Sequence, residues 1–228
     1  MKKIINSIFV LVAVVLLATG SKVFASSAKF AKIDATSGAY NITVKVQKGW
    51  NLIPIHNTGL FKYTQESIQA LGDPSAFFVY LPLKKKYVNT REFKNDTDVK
   101  EFQDNVDYLR LGAEWLYSEK NIDVPYFMKG IPSDLKVSLY QGWNLMAVPP
   151  QFYDKSFGWG ECAVEKIYLW DSVAQNWMSL PSEGIAQKFL EEVGDGDFVG
   201  DGIAVKIQNN CSLGKIKSIA PLPPSIPN

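Results

Sequence analysis

The chain has 228 residues, with 24 lysines and arginines against 23 aspartates and glutamates and a single histidine. That near-neutral balance shows none of the basic excess that nucleic acid or an anionic membrane surface asks for. A content of 46% hydrophobic and 13% aromatic residues excludes a disordered chain and supports a packed core.

Residues 1–25 read as a secretory signal peptide. Lys2 and Lys3 form a positive n-region, Ile8 to Ala18 is an apolar run of eleven residues, and Val23-Phe24-Ala25 offers a cleavage site before Ser26. Eleven apolar residues are too few to span a hydrocarbon core of roughly 30 Å. No cysteine follows that run to carry a lipid. Removing Lys2, Lys3 and Lys22 leaves 21 basic residues against 23 acidic ones, a net charge of −2. No second long apolar segment follows, so no transmembrane segment is expected after cleavage. The expected location is secreted, periplasmic or cell-surface.

Residues 26–39 form an N-terminal segment before the first patterned strand. Ile42, Val44 and Val46 alternate with Thr43, Lys45 and Gln47, the period of a half-buried strand. Gly49-Trp50-Asn51-Leu52 follows; the glycine suits a bulge or turn, the tryptophan a buried position and the asparagine a local backbone bond. Thr64 predicts a helix cap, with Ile68 and Leu71 on one face and Gly72 as the stop. Phe77 to Tyr80 and Tyr87-Val88 predict a hairpin around the turn Lys84-Lys85-Lys86. A second helix is expected from Asp98 to Asn105. A closing strand pair is expected from Trp115-Leu116-Tyr117 and Val124-Pro125-Tyr126.

The same series then recurs. Gly142-Trp143-Asn144-Leu145 repeats the earlier motif at an offset of 93 residues. Trp170 and Trp177 stand seven apart, as Tyr80 and Tyr87 do, at an offset of 90. Gly112 to Tyr117 aligns with Gly200 to Val205 at an offset of 88. A helix is expected from about Ile185 to Glu192, and a last strand pair from Ile203–Ile207 and Leu213–Ile216. Three blocks in one order at nearly constant offset point to a duplicated unit, residues 40–131 and 132–217. Residues 218–228 are a proline-rich tail. The expected fold class is mainly β with a few short helices, in two tandem homologous units, each a small barrel or sandwich.

Gly142-Trp143-Asn144-Leu145, Trp170-Asp171 with Trp177, and Gly200-Asp201-Gly202 together resemble a GWNL-type β-rich repeat module of secreted and cell-surface bacterial and archaeal proteins. The first unit departs from it, with Pro82 in its hairpin and Glu114-Trp115 near its last block. The resemblance implies a β fold and an exported location, and it names no activity.

Several residues suggest chemistry. Cys162 and Cys211 are an even pair in an exported chain and read as a disulfide stabilising by roughly 3–4 kcal/mol. A metal site for them lacks partners, since the only histidine, His56, belongs to the other unit. Asp195, Asp197 and Asp201 fall at positions 1, 3 and 7 of a glycine-rich stretch and offer oxygen ligands to calcium. Val199 and Lys206 depart from an EF-type loop, and the same letters also make plain turns. Trp159, Trp170 and Trp177, near Tyr168, suggest a platform for stacking sugar rings, with Asp171, Gln175 and Asn176 bonding the hydroxyls, against the alternative that the rings fill a small core. Lys84-Lys85-Lys86 either touches an acidic polymer or is simply solvated.

No nucleophile, zinc or phosphate motif appears. Glu114, Asp123, Glu161 and Glu183 are available acids that the sequence does not bring together. Asn41, Asn95 and Asn210 begin glycosylation-type triplets. The expectation is therefore a secreted, non-enzymatic binding or scaffolding protein with no obligatory cofactor, its partner an envelope glycan or protein. The alternatives are a carbohydrate-binding module using exposed tryptophans, or a small envelope hydrolase built on His56 or paired acids.

Overall fold

The computed structural model describes residues 28–34, 39–55, 60–72, 76–128, 137–149, 157–159, 161–180 and 199–215. The signal-type segment, His56, Asp195, Asp197, the helix expected near Ile185 and the proline-rich tail lie outside them.

The first half begins with β1 (Ala28–Asp34), β2 (Ala39–Val46), β3 (Gly49–Pro54) and β4 (Phe61–Tyr63), then helix α1 (Gln65–Leu71). It continues with β5 (Ala76–Leu81), β6 (Lys86–Asn89), α2 (Asp96–Gln103), α3 (Val106–Leu109), β7 (Ala113–Ser118) and β8 (Ile122–Met128). The second half contains β9 (Val137–Leu139), β10 (Gly142–Ala147), β11 (Phe157–Gly158), β12 (Val164–Asp171), β13 (Asn176–Leu180), β14 (Gly202–Ile207) and β15 (Cys211–Lys215).

Each half has two sheets. The outer sheets have the orders β1-β2-β8-β4 and β9-β15-β11; the inner sheets have the orders β3-β7-β5-β6 and β10-β14-β12-β13. All pairings are antiparallel. Among the described residues no sheet closes on itself, and the architecture is sandwich-like. The period-two residues of β2 and β8, including Ile42, Val44, Val124 and Tyr126, pack against Ile53, Leu116 and Val79 of the inner sheet. Val137, Leu139 and Leu213 do the same with Met146, Ile203 and Val205 in the second half.

The two inner sheets then meet each other. Leu52, Ala113, Leu145 and Ala204 form a small second core there. Gly202 allows the close approach, because a Cβ on it would lie 2.2 Å from Leu52 Cγ. This double burial explains why β3, β10 and β14 read as continuous apolar runs while β2 alternates.

The expected helix after Thr64 is present. The Thr64 side chain accepts from the Ser67 N–H, the Ser67 hydroxyl accepts from the Thr64 N–H, and Gly72 ends the helix at φ 62°. The second helix starts two residues earlier than expected because Asn95 caps it, accepting from the Asp98 N–H. No helix among the described residues is long and apolar enough to cross a membrane. Cys162 and Cys211 are bonded, with an S–S distance of 2.06 Å.

Two expectations are corrected. The expected closing strand pair forms in neither half. Trp115-Leu116-Tyr117 and Val124-Pro125-Tyr126 do not pair. β7 lies in the inner sheet between β3 and β5, and β8 lies in the outer sheet between β2 and β4. The short link between them changes sheets where a hairpin would return to the same one. Likewise, β14 lies between β10 and β12 in the inner sheet, and β15 lies between β9 and β11 in the outer one. The alignment of the last block also shifts by one residue. Leu52 faces Trp115 and Leu145 faces Ala204, so the corresponding offset is 89 and Trp115 matches Ala204. In a strand that single step exchanges the two faces.

Candidate functional site

The Gly-Trp-Asn motif carries the chain from outer to inner sheet. Gly49 and Gly142 take φ values of 106° and 94°, a backbone geometry that a side chain resists. The buried asparagines hold the turn. Asn51 Oδ1 accepts from the Gln47 N–H at 2.7 Å, and its Nδ2 donates to the carbonyls of Gln47 and Gly49 at 2.7 and 3.0 Å. Asn144 accepts from the Tyr140 N–H at 2.9 Å and donates to the carbonyls of Tyr140 and Gly142 at 2.7 and 3.2 Å. With the asparagine turned inward, the tryptophan is turned out. Trp50 is 38% exposed and Trp143 37%, which corrects the expectation that these rings are core.

The hairpins also correspond. Tyr80 faces Tyr87 across β5–β6, and Trp170 faces Trp177 across β12–β13. Both pairs have ring centroids 5.2 Å apart. Each hairpin ends its turn with a left-handed residue, Lys85 at φ 51° and Gln175 at φ 53°.

These rings border two clefts beside the contact between the inner sheets. The first, of about 490 Å³, is lined by Trp50, Phe78, Tyr87, Trp115, Trp170 and Trp177. The second, of about 360 Å³, is lined by Tyr80, Tyr87, Trp143, Tyr168, Trp177 and Ala204, with Leu145 at its side. Both volumes suit a small-molecule site of roughly 300–1,000 Å³. The linings exchange position for position between the halves: Trp50 with Trp143, Phe78 with Tyr168, Tyr80 with Trp170, Tyr87 with Trp177, and Trp115 with Ala204. Tyr87 and Trp177 border both clefts.

The first cleft is tightly interlocked. Trp115 meets Trp170 and Trp177 edge-on at 4.8 and 5.6 Å. Trp170 Nε1 donates to the Trp50 carbonyl at 2.9 Å. The Gln175 carboxamide accepts from the Trp50 N–H at 2.8 Å and donates to the Trp50 carbonyl at 2.9 Å. In the second cleft Trp143 meets Tyr168 at 5.8 Å. Partial burial and the neighbouring Tyr87 hold the Tyr80 hydroxyl above its ordinary pKa.

Of the tryptophans singled out by sequence, Trp170 and Trp177 share the first cleft and Trp177, 39% exposed, also reaches the second. Trp159 packs against the main core and stands apart from both. Asp201 is 2% exposed, with its carbonyl accepting from the Val148 N–H. Its proposed calcium partners Asp195 and Asp197 lie outside the described residues. Lys84 and Lys86 are ion-paired to α2, Lys84 with Glu101 at 3.6 Å and Lys86 with Asp98 at 2.9 Å and with Glu101. Glu114 is buried in the first half's core, where the Tyr63 hydroxyl donates to it at 3.5 Å. Asp123 and Glu161 are exposed, and Glu183 lies outside the described residues. Asn210 accepts from the Gln141 N–H at 2.8 Å.

Sequence reasoning missed Trp50, Trp143, Trp115, Phe78, Tyr80 and Tyr87 as a site. The signal was present: two aromatics seven residues apart in both hairpins, which a four-residue turn places opposite each other. Compared with protein-family models, with curated proteins and with solved structures, the chain matches none.

Proposed function

We propose that this chain is an exported, non-enzymatic binding protein of two tandem copies of one β-rich module, and that it binds saccharide on its aromatic clefts. The observation that carries the reading is the pair of clefts walled mainly by aromatic rings, of which Trp50, Tyr87, Trp143 and Trp177 are exposed. A pyranose presents an apolar C–H face and a rim of hydroxyls. Aromatic faces take the first, and tyrosine hydroxyls and indole N–H groups take the second. The linings offer ring faces and hydroxyls in place of the paired carboxylates that glycoside hydrolysis requires.

Export is supported by the signal-type N-terminus and by the disulfide, which persists in oxidising compartments. Duplication is supported by the shared strand order of the inner sheets and by the matching asparagine networks. The resemblance to GWNL-type modules of secreted and surface proteins agrees with both.

The test is tryptophan fluorescence of the chain from Ser26 onward, titrated with soluble envelope polysaccharides. A saturable shift is expected. Its absence with every glycan would remove the saccharide reading and leave protein binding or scaffolding. Repeating the titration with millimolar calcium reads out Asp195, Asp197 and Asp201, whose involvement requires a calcium-dependent shift.

A further inference from the structure

The outer edge of β10 is closed at two positions and open at a third. Successive residues of an edge strand alternate between pairing inward and facing outward. At Leu145 the N–H donates to the Tyr108 hydroxyl at 2.8 Å, and that hydroxyl donates to the Leu145 carbonyl at 2.6 Å. At Ala147 the N–H donates to the Leu111 carbonyl at 2.8 Å. The remaining outward position is Trp143, beside the second cleft.

The first half shows what chemistry fills that position. There the Gln175 carboxamide takes both the N–H and the carbonyl of Trp50. The residue corresponding to Gln175 is Lys85, whose ammonium has donors only. Among the described residues, no side chain takes Gln175's place over Trp143. The space differs in the same way. A Cβ on Gly49 would lie 2.6 Å from Gln175 Oε1, whereas a Cβ on Gly142 has nothing within 4 Å.

We infer that the second cleft is the ligand site, and that two adjacent sugar hydroxyls take on Trp143 the place that the Gln175 carboxamide takes on Trp50. This rests on the saccharide reading above. Trp143 offers one donor and one acceptor side by side. Of two adjacent hydroxyls, one accepts from the N–H while the other donates to the carbonyl. The ring lies against Trp143 and Tyr168, and Ala204 leaves open the floor that Trp115 fills in the first cleft. A trans acetamido group points its N–H and carbonyl to opposite sides and cannot satisfy both. A peptide strand added to β10 needs successive outward pairs, and Tyr108 already occupies the next one. The first cleft is locked from within.

Cellohexaose, with adjacent free hydroxyls on every ring, and chitohexaose, whose internal rings carry none, are the probes for fluorescence titration. Cellohexaose should bind and chitohexaose should bind about tenfold more weakly, the size of one lost two-point hydrogen-bonded contact. Lys85→Gln should install the missing lock and weaken cellohexaose by a similar factor, while Gln175→Lys leaves it within about twofold of the parent. Lys85 is an exposed turn residue, so unchanged cooperative unfolding confirms that the variant folds. Undiminished binding by Lys85→Gln would overturn the inference. So would binding that survives Trp143→Ala but is lost in Trp50→Ala, an outcome that moves the site to the first cleft and leaves the saccharide function standing. Equal affinity for both hexaoses would overturn the role of adjacent hydroxyls. Protection of the Trp143 amide by a β-forming peptide would replace the sugar with strand addition. If the parent protein binds neither hexaose, the inference fails. If it also binds no envelope glycan, the saccharide function falls with it.

Discussion

Trp50 and Trp143 occupy corresponding places, yet their surroundings differ. Around Trp50, a glutamine, a tryptophan and Trp115 close the backbone and fill the floor. Around Trp143, the matching residues are Lys85, Tyr80 and Ala204. The strands, the left-handed turn residue and the asparagine-held corner are the same on both sides. What differs is which side chains stand on a fixed frame. On one frame, a few side chains close the backbone at Trp50, while among the described residues none does so at Trp143.

Alkali should separate the halves most strongly. Burial holds the hydroxyls of Tyr63, Tyr108 and Tyr126 well above the ordinary tyrosine pKa, and all three belong to the first half. The unfolded chain sheds those protons near pH 10 while the folded chain keeps them. Their contribution to stability is therefore full below about pH 10 and is lost as pH rises beyond it. The described tyrosines of the second half, Tyr140 and Tyr168, are only half-buried. Tyrosinate absorbance followed with circular dichroism should show the first half melting first.

The disulfide works in the opposite direction. Replacing Cys162 and Cys211 by serine should cost roughly 3–4 kcal/mol in denaturant unfolding, by freeing a loop closed over a sequence separation of 49 residues. Asn51→Ala and Asn144→Ala should each cost about 2–3 kcal/mol, because each strands buried backbone partners. Equal costs sharpen the correspondence of the halves, and a gap of more than about 1 kcal/mol would break it. Tyr108→Phe should cost about 1–2 kcal/mol by leaving the Leu145 N–H and carbonyl unpaired. Gln175→Ala should cost about 1 kcal/mol or less, since water reaches Trp50 once the carboxamide is gone.

Much of the frame was legible because it is local. The alternation of Ile42, Val44 and Val46 marks β2, and Thr64 and Gly72 mark the ends of α1. The cysteine pair and the two hairpins follow from composition and spacing. β4 and β11, with three and two residues, are too short to carry a period. The passage of β7 and β8 into different sheets has the same local pattern as a hairpin, so only packing decides it. At the site, Trp170 and Trp177 were legible as neighbours across a turn. Trp50 and Trp143 looked like core because they precede apolar runs, and it is the inward asparagine that turns them out. The Gln175 lock joins residues 125 positions apart, so no local pattern announces it.

The Cys162–Cys211 bridge also sets a mechanical path. Cys162 stands just before β12, and Cys211 opens β15. Tension applied along the chain from either side crosses the sulfur–sulfur bond and bypasses everything between. β12, β13 and β14, which carry Tyr168, Trp177 and Ala204, and the turn that holds Gln175 are thereby shielded from the load. Under pulling, the first half should give way while these three strands stay assembled.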